Sequence, residues 1–276
     1  MSEILAFRAD YHPLLAKLVD QMGMVERINT AVEEEVDDLL VDTGTVVAAM
    51  IHNLLGEGAV RLYRLGSFFA DKPLPLLFPW APDLDPSQLN DDRAGRALDT
   101  IWEAGPQKVF SAVSQRVIER YALDLRAVHA DTSSRSFYGV YDGQDPSAPQ
   151  VTYGYSKDHR PDLKQILFGV GTSRDRVPVM AEVCSGNQSD MTWNKRWMKA
   201  ARGELGLAED KPLVYVADSA SITTDNLDAL AEARLDFISR LPERYGLAGR
   251  LMEEALGARQ EWVEVGRIAE REKAAE

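Results

Sequence analysis

The apolar positions of this chain change their period near residue 124. Before that point they recur every three or four residues, the spacing of helices that bury one stripe. "PLLAKLVDQMGMVERI" places Leu14, Leu18, Met22 and Val25 on one face, with Pro13 suited to a first helical turn. "TGTVVAAMIHNLLGEG" offers Thr43 or Thr45 as an N-cap and Gly56 or Gly58 as a stop. A proline-rich stretch, "DKPLPLLFPWAPDLDPSQ", has the composition of a loop. Beyond it, "NDDRAGRALDTIWEAG" predicts a helix with Ala94, Leu98 and Ile101 or Trp102 inward. "PQKVFSAVSQRVIERY" predicts another, from Pro106 through Val109, Val113, Val117 and Tyr121.

After residue 124 the alternation is that of strands. "DLRAVHADTSS" alternates through Leu125, Ala127, His129 and Asp131. "QILFGVGTSRDRVPVMAEVCSG" predicts two strands joined by a polar turn from Ser173 to Arg176. "MTWNKRWMKAARGELG" predicts a helix with Trp193 and Trp197 one turn apart. A short buried strand, "PLVYVADSA", a helix, "TTDNLDALAEAR", and a last strand, "LDFISRLP", complete the pattern. Strands followed by alternating helices and strands predict an α/β layer with a central mixed sheet. The expected divisions are a helical region over 1–123, an α/β core over 124–242 and a tail over 243–276 that mixes both periods.

Composition narrows the class. The chain has 276 residues, 45% hydrophobic and 27% charged, as an ordinary globular protein does. One cysteine, Cys184, lies in an apolar run and is expected to be a small buried hydrophobe in a reducing compartment. One Cys and four scattered His offer no zinc spacing. The N-terminus has no signal-peptide pattern and the most apolar helix is too short for a bilayer, so no membrane is expected and the cytoplasm is the expected location. A net charge of −13 argues against whole-surface attraction to nucleic acid. That charge is unevenly placed: the first hundred residues hold 17 acidic and eight basic side chains, roughly −9. The remainder is nearer neutral and includes "YGYSKDHRPDLKQ", with Lys157, His159, Arg160 and Lys164 close together among Asp158 and Asp162.

Two aspartates stand in parallel settings. Asp131 is expected to end the strand "RAVHAD" and Asp218 the strand "LVYVAD", each followed by a hydroxyl residue. Carboxylates at neighbouring strand ends can converge on one point, as a hard divalent cation requires. An Asp after a strand also commonly caps a turn, which explains either one alone. "GVGTSRD" lacks the third glycine of a dinucleotide loop, and Ser219 lacks a nucleophile elbow. His129 alternates in register with Asp131 and is more simply a satisfied strand histidine. In "SGNQSDMTW", capping suffices to explain Asn187, Ser189 and Asp190.

Together, "HADTSS" with "FYGVY", "YGYSKDHRPDLKQ", "SGNQSD", "VADSASITTDNL", "FISRLP" and the upstream "LNDDRAGRALD" resemble the DDE transposases of bacterial insertion sequences. The likeness is to the branch of the insertion-sequence-4 superfamily with a long insertion before its catalytic glutamate. It implies a ribonuclease-H-like mixed sheet with flanking helices, preceded by an all-helical N-terminal region. It also implies cleavage of double-stranded DNA at transposon ends with Mg²⁺, or Mn²⁺ in its place, and joining of the 3′-hydroxyl to a target. Asp131 and Asp218 match the first two acidic residues and would ligate the metal. A homodimer or a full-length transposase is the implied protein partner. The third residue, in a frame Y-x2-R-x3-E-x6-K, finds no match: Tyr245, Arg250 and Glu254 have the wrong spacing, and Glu261 stands where the lysine would be. The chain is therefore expected to stop inside the insertion and, lacking the third acidic residue, to be incomplete or inactive by itself. The basic arm of Lys157, His159, Arg160 and Lys164 is expected to contact DNA phosphates, with internal pairing to Asp158 and Asp162 as the alternative. A non-catalytic DNA- or partner-binding fragment and a different metal-dependent phosphohydrolase are the competing readings.

Overall fold

The structure, a computed structural model, describes residues 7–33, 41–156, 159–243, 245–257 and 263. Among the described residues, seven α-helices come first: α1 (His12–Gln21), α2 (Met24–Val32), α3 (Thr43–Leu55), α4 (Leu65–Phe69), α5 (Leu74–Leu77), α6 (Asp91–Ala104) and α7 (Pro106–Tyr121). Strands β1 (Ala127–Phe137), β2 (Lys164–Ser173) and β3 (Pro178–Ser185) follow, then α8 (Asp190–Glu204), β4 (Val214–Val216), α9 (Thr224–Glu232), β5 (Asp236–Ile238) and α10 (Gly246–Gly257).

The five strands form one sheet in the order β3-β2-β1-β4-β5. β1, β2 and β3 are antiparallel neighbours, whereas β4 lies parallel to β1 and β5 parallel to β4. This mixed sheet behind a helical region is the ribonuclease-H-like arrangement expected from the sequence.

The sheet's inner face is fixed by α8. Trp193 and Trp197, one turn apart, have ring centroids 4.2 Å apart and lie against the backbone of β2. A Cβ on Gly169 would meet Trp193 at 2.3 Å, and one on Gly171 would meet Trp197 at 2.9 Å. The two glycines thus form a floor for indole rings. Side-chain bonds complete the joint: Trp197 Nε1 donates to Glu182 of β3 (2.9 Å), Tyr215 of β4 donates to Asn194 (2.9 Å), and Thr132 of β1 donates to Asp190 (2.7 Å). Val128, Ala130, Leu167, Leu213 and Tyr215 fill the core beneath. Cys184 joins them as a free, buried thiol, as expected.

The helical region has its own core, and several of its residues differ from the expected set. Leu14 and Leu18 are 72% and 49% exposed, while His12, Ala16 and Val19 form the buried face of α1. Gly23, in the left-handed region at φ 59°, breaks the expected long helix into α1 and α2. The cap of α3 is Asp42, whose carboxylate accepts from Thr45 N–H at 2.8 Å, so Thr43 and Thr45 lie inside the first turn. In α6 the buried residues are Arg93, Ala94 and Ala97, with Leu98 and Trp102 turned outward. Short side chains let these helices approach closely, and larger apolar groups supplied by the proline-rich stretch fill the space: Leu74, Leu77 and Phe78 are buried.

Within this core His12 and His52 meet through their Nδ1 atoms at 3.1 Å, both buried among Phe68, Phe69 and Phe78. Burial, reinforced by His12, lowers the His52 pKa from 6.5 to about 4. Burial also lowers His12, aided by Lys72 and partly opposed by Asp10. Each must be neutral to fold favourably. Their stabilisation is complete above about pH 6.5 and is lost as pH falls toward 4.

Two outcomes test these packing arguments. Gly169→Ala is expected to destabilise the fold by about 3 kcal/mol through overpacking, seen as a lower urea midpoint; an unchanged midpoint would mean the indole moves aside freely. Between pH 7 and pH 4 the wild type is expected to lose about 3 kcal/mol more stability than His52→Leu. Equal losses in urea titrations would place the acid sensitivity elsewhere.

Candidate active site

Because α8 covers one face of the sheet, the two-residue period of a strand sends alternate side chains to the other. On β1, Val128, Ala130 and Thr132 are buried and His129, Asp131 and Ser133 are exposed. The parallel register with β4 pairs Val128 with Tyr215 and His129 with Val216. Asp131 lies two residues beyond His129, and Asp218 two residues beyond Val216. Both carboxylates are exposed, and each lies two residues past the last pair of the parallel ladder, at the same end of adjacent strands.

One expectation needs correction. Asp131 does not end its strand, because β1 continues to Phe137 as a hairpin with β2. The parallel pairing with β4 ends two residues earlier, at His129. "TSSRSF" carries too few apolar residues to announce a strand, and backbone pairing with β2 holds it extended all the same. Asp218 does follow β4, and its extended backbone (φ −72°, ψ 177°) turns the chain into a short 3-10 helix over Ser219–Ser221.

Both aspartates have local hydrogen bonds. Asp131 accepts from Thr132 N–H at 2.7 Å, and Asp218 caps the 3-10 turn by accepting from Ala220 N–H at 3.0 Å. The turn-cap explanation and the metal-site explanation thus apply to the same carboxylate of Asp218. Among the described residues, no three His, Cys, Asp or Glu side chains converge as a metal centre. Tyr245 donates to the Ile222 carbonyl at 3.1 Å, Arg250 and Glu254 are exposed on α10, and Glu261 lies outside the described residues. Ser189 makes no cap bond to α8, and Asp190 instead accepts from Thr132, so capping is not what Ser189 and Asp190 do.

The basic arm sits elsewhere on the same face. Lys164 opens β2 opposite Phe137, six residues along β1 from Asp131, roughly 20 Å away. Arg160 forms a two-bond pair with Asp162 (2.8 and 2.7 Å) and lies over the Tyr138 ring, yet remains 46% exposed. Lys164 donates to the Val140 carbonyl and approaches Asp142 at 3.9 Å. His159 is exposed at a left-handed turn, φ 56°. Lys157 lies outside the described residues. The register puts the two aspartates at the same end of adjacent strands and Lys164 well away along β1.

Sequence reasoning overlooked Arg240. It follows Ile238 by two residues, and Ile238 pairs with Val216, so Arg240 falls on the level of Asp218. The signal was present in "LDFISRLP" as an offset matching that of "LVYVAD".

Residues 5–115 match the family model described as "Domain of unknown function (DUF4277)", a match that ends within α7, before the sheet. A search of curated proteins gives no match. Among solved structures, the chain is similar to the Mos1 transposase paired-end complex with left transposon end, at 10% identity over 82% of this chain and 74% of that one, TM-score 0.28. It is similar to a pre-cleavage Mos1 transpososome at 10% identity, covering 80% and 67%, TM-score 0.29. The Mos1 mariner paired end complex with Mn gives 10% identity over 90% and 84%, TM-score 0.29.

Proposed function

We propose that this chain is the catalytic region of a DDE-type transposase, of the insertion-sequence-4 kind, that cleaves DNA at transposon ends and transfers the 3′-hydroxyl to a target. The observation that carries the reading is that Asp131 and Asp218, both exposed, each follow the last parallel pair of β1 and β4, His129–Val216, by two residues. The long motif "YGYSKDHRPDLKQ" and the "VADSASITTDNL" segment support it, since they resemble that family block for block.

The donor set fits a hard cation. Two carboxylates from a rigid sheet, open to solvent, match the one or two protein carboxylates with which Mg²⁺ is usually held beside water and phosphate oxygens. Asp131 and Asp218 would be those ligands. A bound Mg²⁺ or Mn²⁺ supplies polarisation of a phosphoryl oxygen and a water of lowered pKa. The chain's part is positional: the sheet holds the carboxylates at the same end of adjacent strands, and the Thr132 and Ala220 amides orient them. Lys164 lies on the same face roughly 20 Å off, the span of about six base pairs. A duplex laid from Asp131 toward the β1–β2 loop would meet Lys157, His159, Arg160 and Lys164 with its phosphates. Cytoplasmic action and a dimer holding paired ends belong to the same proposal.

With supercoiled plasmid and Mn²⁺ or Mg²⁺, nicking by the wild-type chain, slow for want of the third acidic residue, is expected to fall at least ~100-fold further in Asp131→Ala and Asp218→Ala. A chain that binds DNA but nicks no faster than either variant would overturn the catalytic reading in favour of a DNA-binding fragment. Arg160→Ala with Lys164→Ala is expected to weaken duplex binding roughly tenfold and to lower the salt slope by about two. Unchanged affinity and slope would show that these side chains serve only their internal pairs.

A further inference from the structure

Three tyrosines stand bare at the hairpin end of the sheet. Tyr138, Tyr153 and Tyr155 are 74%, 57% and 87% exposed. Phe137 pairs with Lys164 and Thr152 with Gln165, so Tyr138 and Tyr153, each the next residue, flank the start of β2. One exposed ring is ordinary surface, but three together leave a large apolar area in water with no return to the fold.

The rings are held on a fixed support. Thr152 and Gln165 exchange two backbone bonds (3.1 and 2.8 Å), and Gly154 packs so closely on the Gly186 carbonyl that a Cβ has no room. The buried Gln165 amide donates to the Tyr155 carbonyl (3.0 Å) and to the Gly186 carbonyl (2.8 Å). Cations accompany the rings: Arg160 lies 6.0 Å from the centre of Tyr138 and Lys164 5.9 Å from that of Tyr153. Rigid aromatic faces beside positive side chains suit unpaired bases, which offer open π-faces and phosphates on one strand. A duplex hides those faces inside its own stack, and an apolar protein partner would leave the cations unused.

We infer that Tyr138, Tyr153 and Tyr155 form a stacking platform for single-stranded DNA, an inference that rests on the transposase reading only in taking DNA as the polymer. Lys164 and the exposed Arg160 meet the strand's phosphates while the rings take its bases without regard to sequence. The platform lies roughly 20 Å along β1 from Asp131, so it holds a strand that is already open and takes no part at the carboxylates.

The test is fluorescence anisotropy with a labelled 20-nucleotide thymidine oligomer, its abasic counterpart of equal charge and a mixed-sequence duplex, across a salt series in EDTA. Wild type is expected to bind the thymidine oligomer more tightly than the abasic one. Tyr155→Ala is expected to weaken thymidine-oligomer binding roughly tenfold with an unchanged salt slope, because no charge is removed. Tyr155→Trp, which restores a stacking face, is expected to recover wild-type affinity, whereas Tyr155→Leu, apolar but not planar, is not. Tyr138→Ala and Tyr153→Ala are expected to act in the same direction. Abasic-oligomer and duplex affinities are expected to stay within about twofold of wild type throughout. Tyr63→Ala, at an exposed tyrosine of the helical region, sets the effect of losing a surface ring as such. Equal wild-type affinity for the two oligomers, a Tyr155→Ala loss shared by the abasic oligomer or the duplex, or a Tyr63→Ala loss as large, would overturn the inference while leaving the transposase reading intact. A wild-type chain that binds neither oligomer nor duplex would overturn both. Melting of Tyr155→Ala is expected to match wild type, so that lost affinity reports a lost contact.

Discussion

The seating of two indole rings on bare backbone decides how this sheet is used. Trp193 and Trp197 reach the backbone of β2 because residues 169 and 171 have no side chain. With α8 pressed so close, the sheet has one inner face, and the two-residue period of each strand sorts every side chain to one side or the other. A one-residue slip of β1 would bury Asp131 under the tryptophans and expose Ala130 and Thr132. The bonds from Thr132 to Asp190 and from Tyr215 to Asn194 oppose such a slip from two strands at once. The exposure of the carboxylates is thus a consequence of packing on the opposite side of the sheet.

The helical region follows a different logic. Its interfaces use Ala16, Ala48, Ala49, Ala94 and Ala97, so helices approach closely and the aromatic residues concentrate around Phe68, Phe69 and Phe78. Into that cluster the chain places His12 and His52, which share one bond between their Nδ1 atoms and are kept neutral by burial. Buried Arg93 is held by the Val41 carbonyl (2.7 Å) and Thr43 (3.0 Å), tying α6 to the start of α3. Polar groups are therefore fixed points inside this core, whereas in the sheet they sit at its margins.

Much of this was legible in the letters. The change of period near residue 124 and the tryptophans one turn apart both survive in the fold, whereas of the two aspartates only Asp218 follows its strand as read. What failed did so for identifiable reasons. Leu14 and Leu18 satisfied a helical stripe, but so did His12, Ala16 and Val19, and periodicity cannot rank a leucine stripe against a smaller one when close approach is favoured. Thr43 and Thr45 outcompeted Asp42 as caps on paper because a cap depends on backbone angles as well as residue type. The glycines of "GVG" were correctly denied to a dinucleotide, yet their real partner lay more than twenty residues away in α8, beyond any local pattern. Arg240 escaped notice because its meaning depends on a register between strands, which a single strand does not contain.

The same register also bears on how two explanations of one residue coexist. Asp218 caps the turn after β4 with one oxygen, bonded to the Ala220 amide, while its other oxygen has no partner among the described residues. Capping fixes the carboxylate plane at no cost to the second oxygen's capacity as a ligand. A carboxylate free to rotate would have to be ordered when a cation or phosphate arrives, whereas this one is ordered by the fold itself. The local bond that makes Asp218 look merely structural is what suits it to hold charge at a defined point. Asp131 likewise accepts from a backbone amide, that of Thr132, on the neighbouring strand. Two carboxylates oriented by backbone amides, with an arginine on the next strand, give an open sheet edge a fixed pattern of charge without any enclosing pocket.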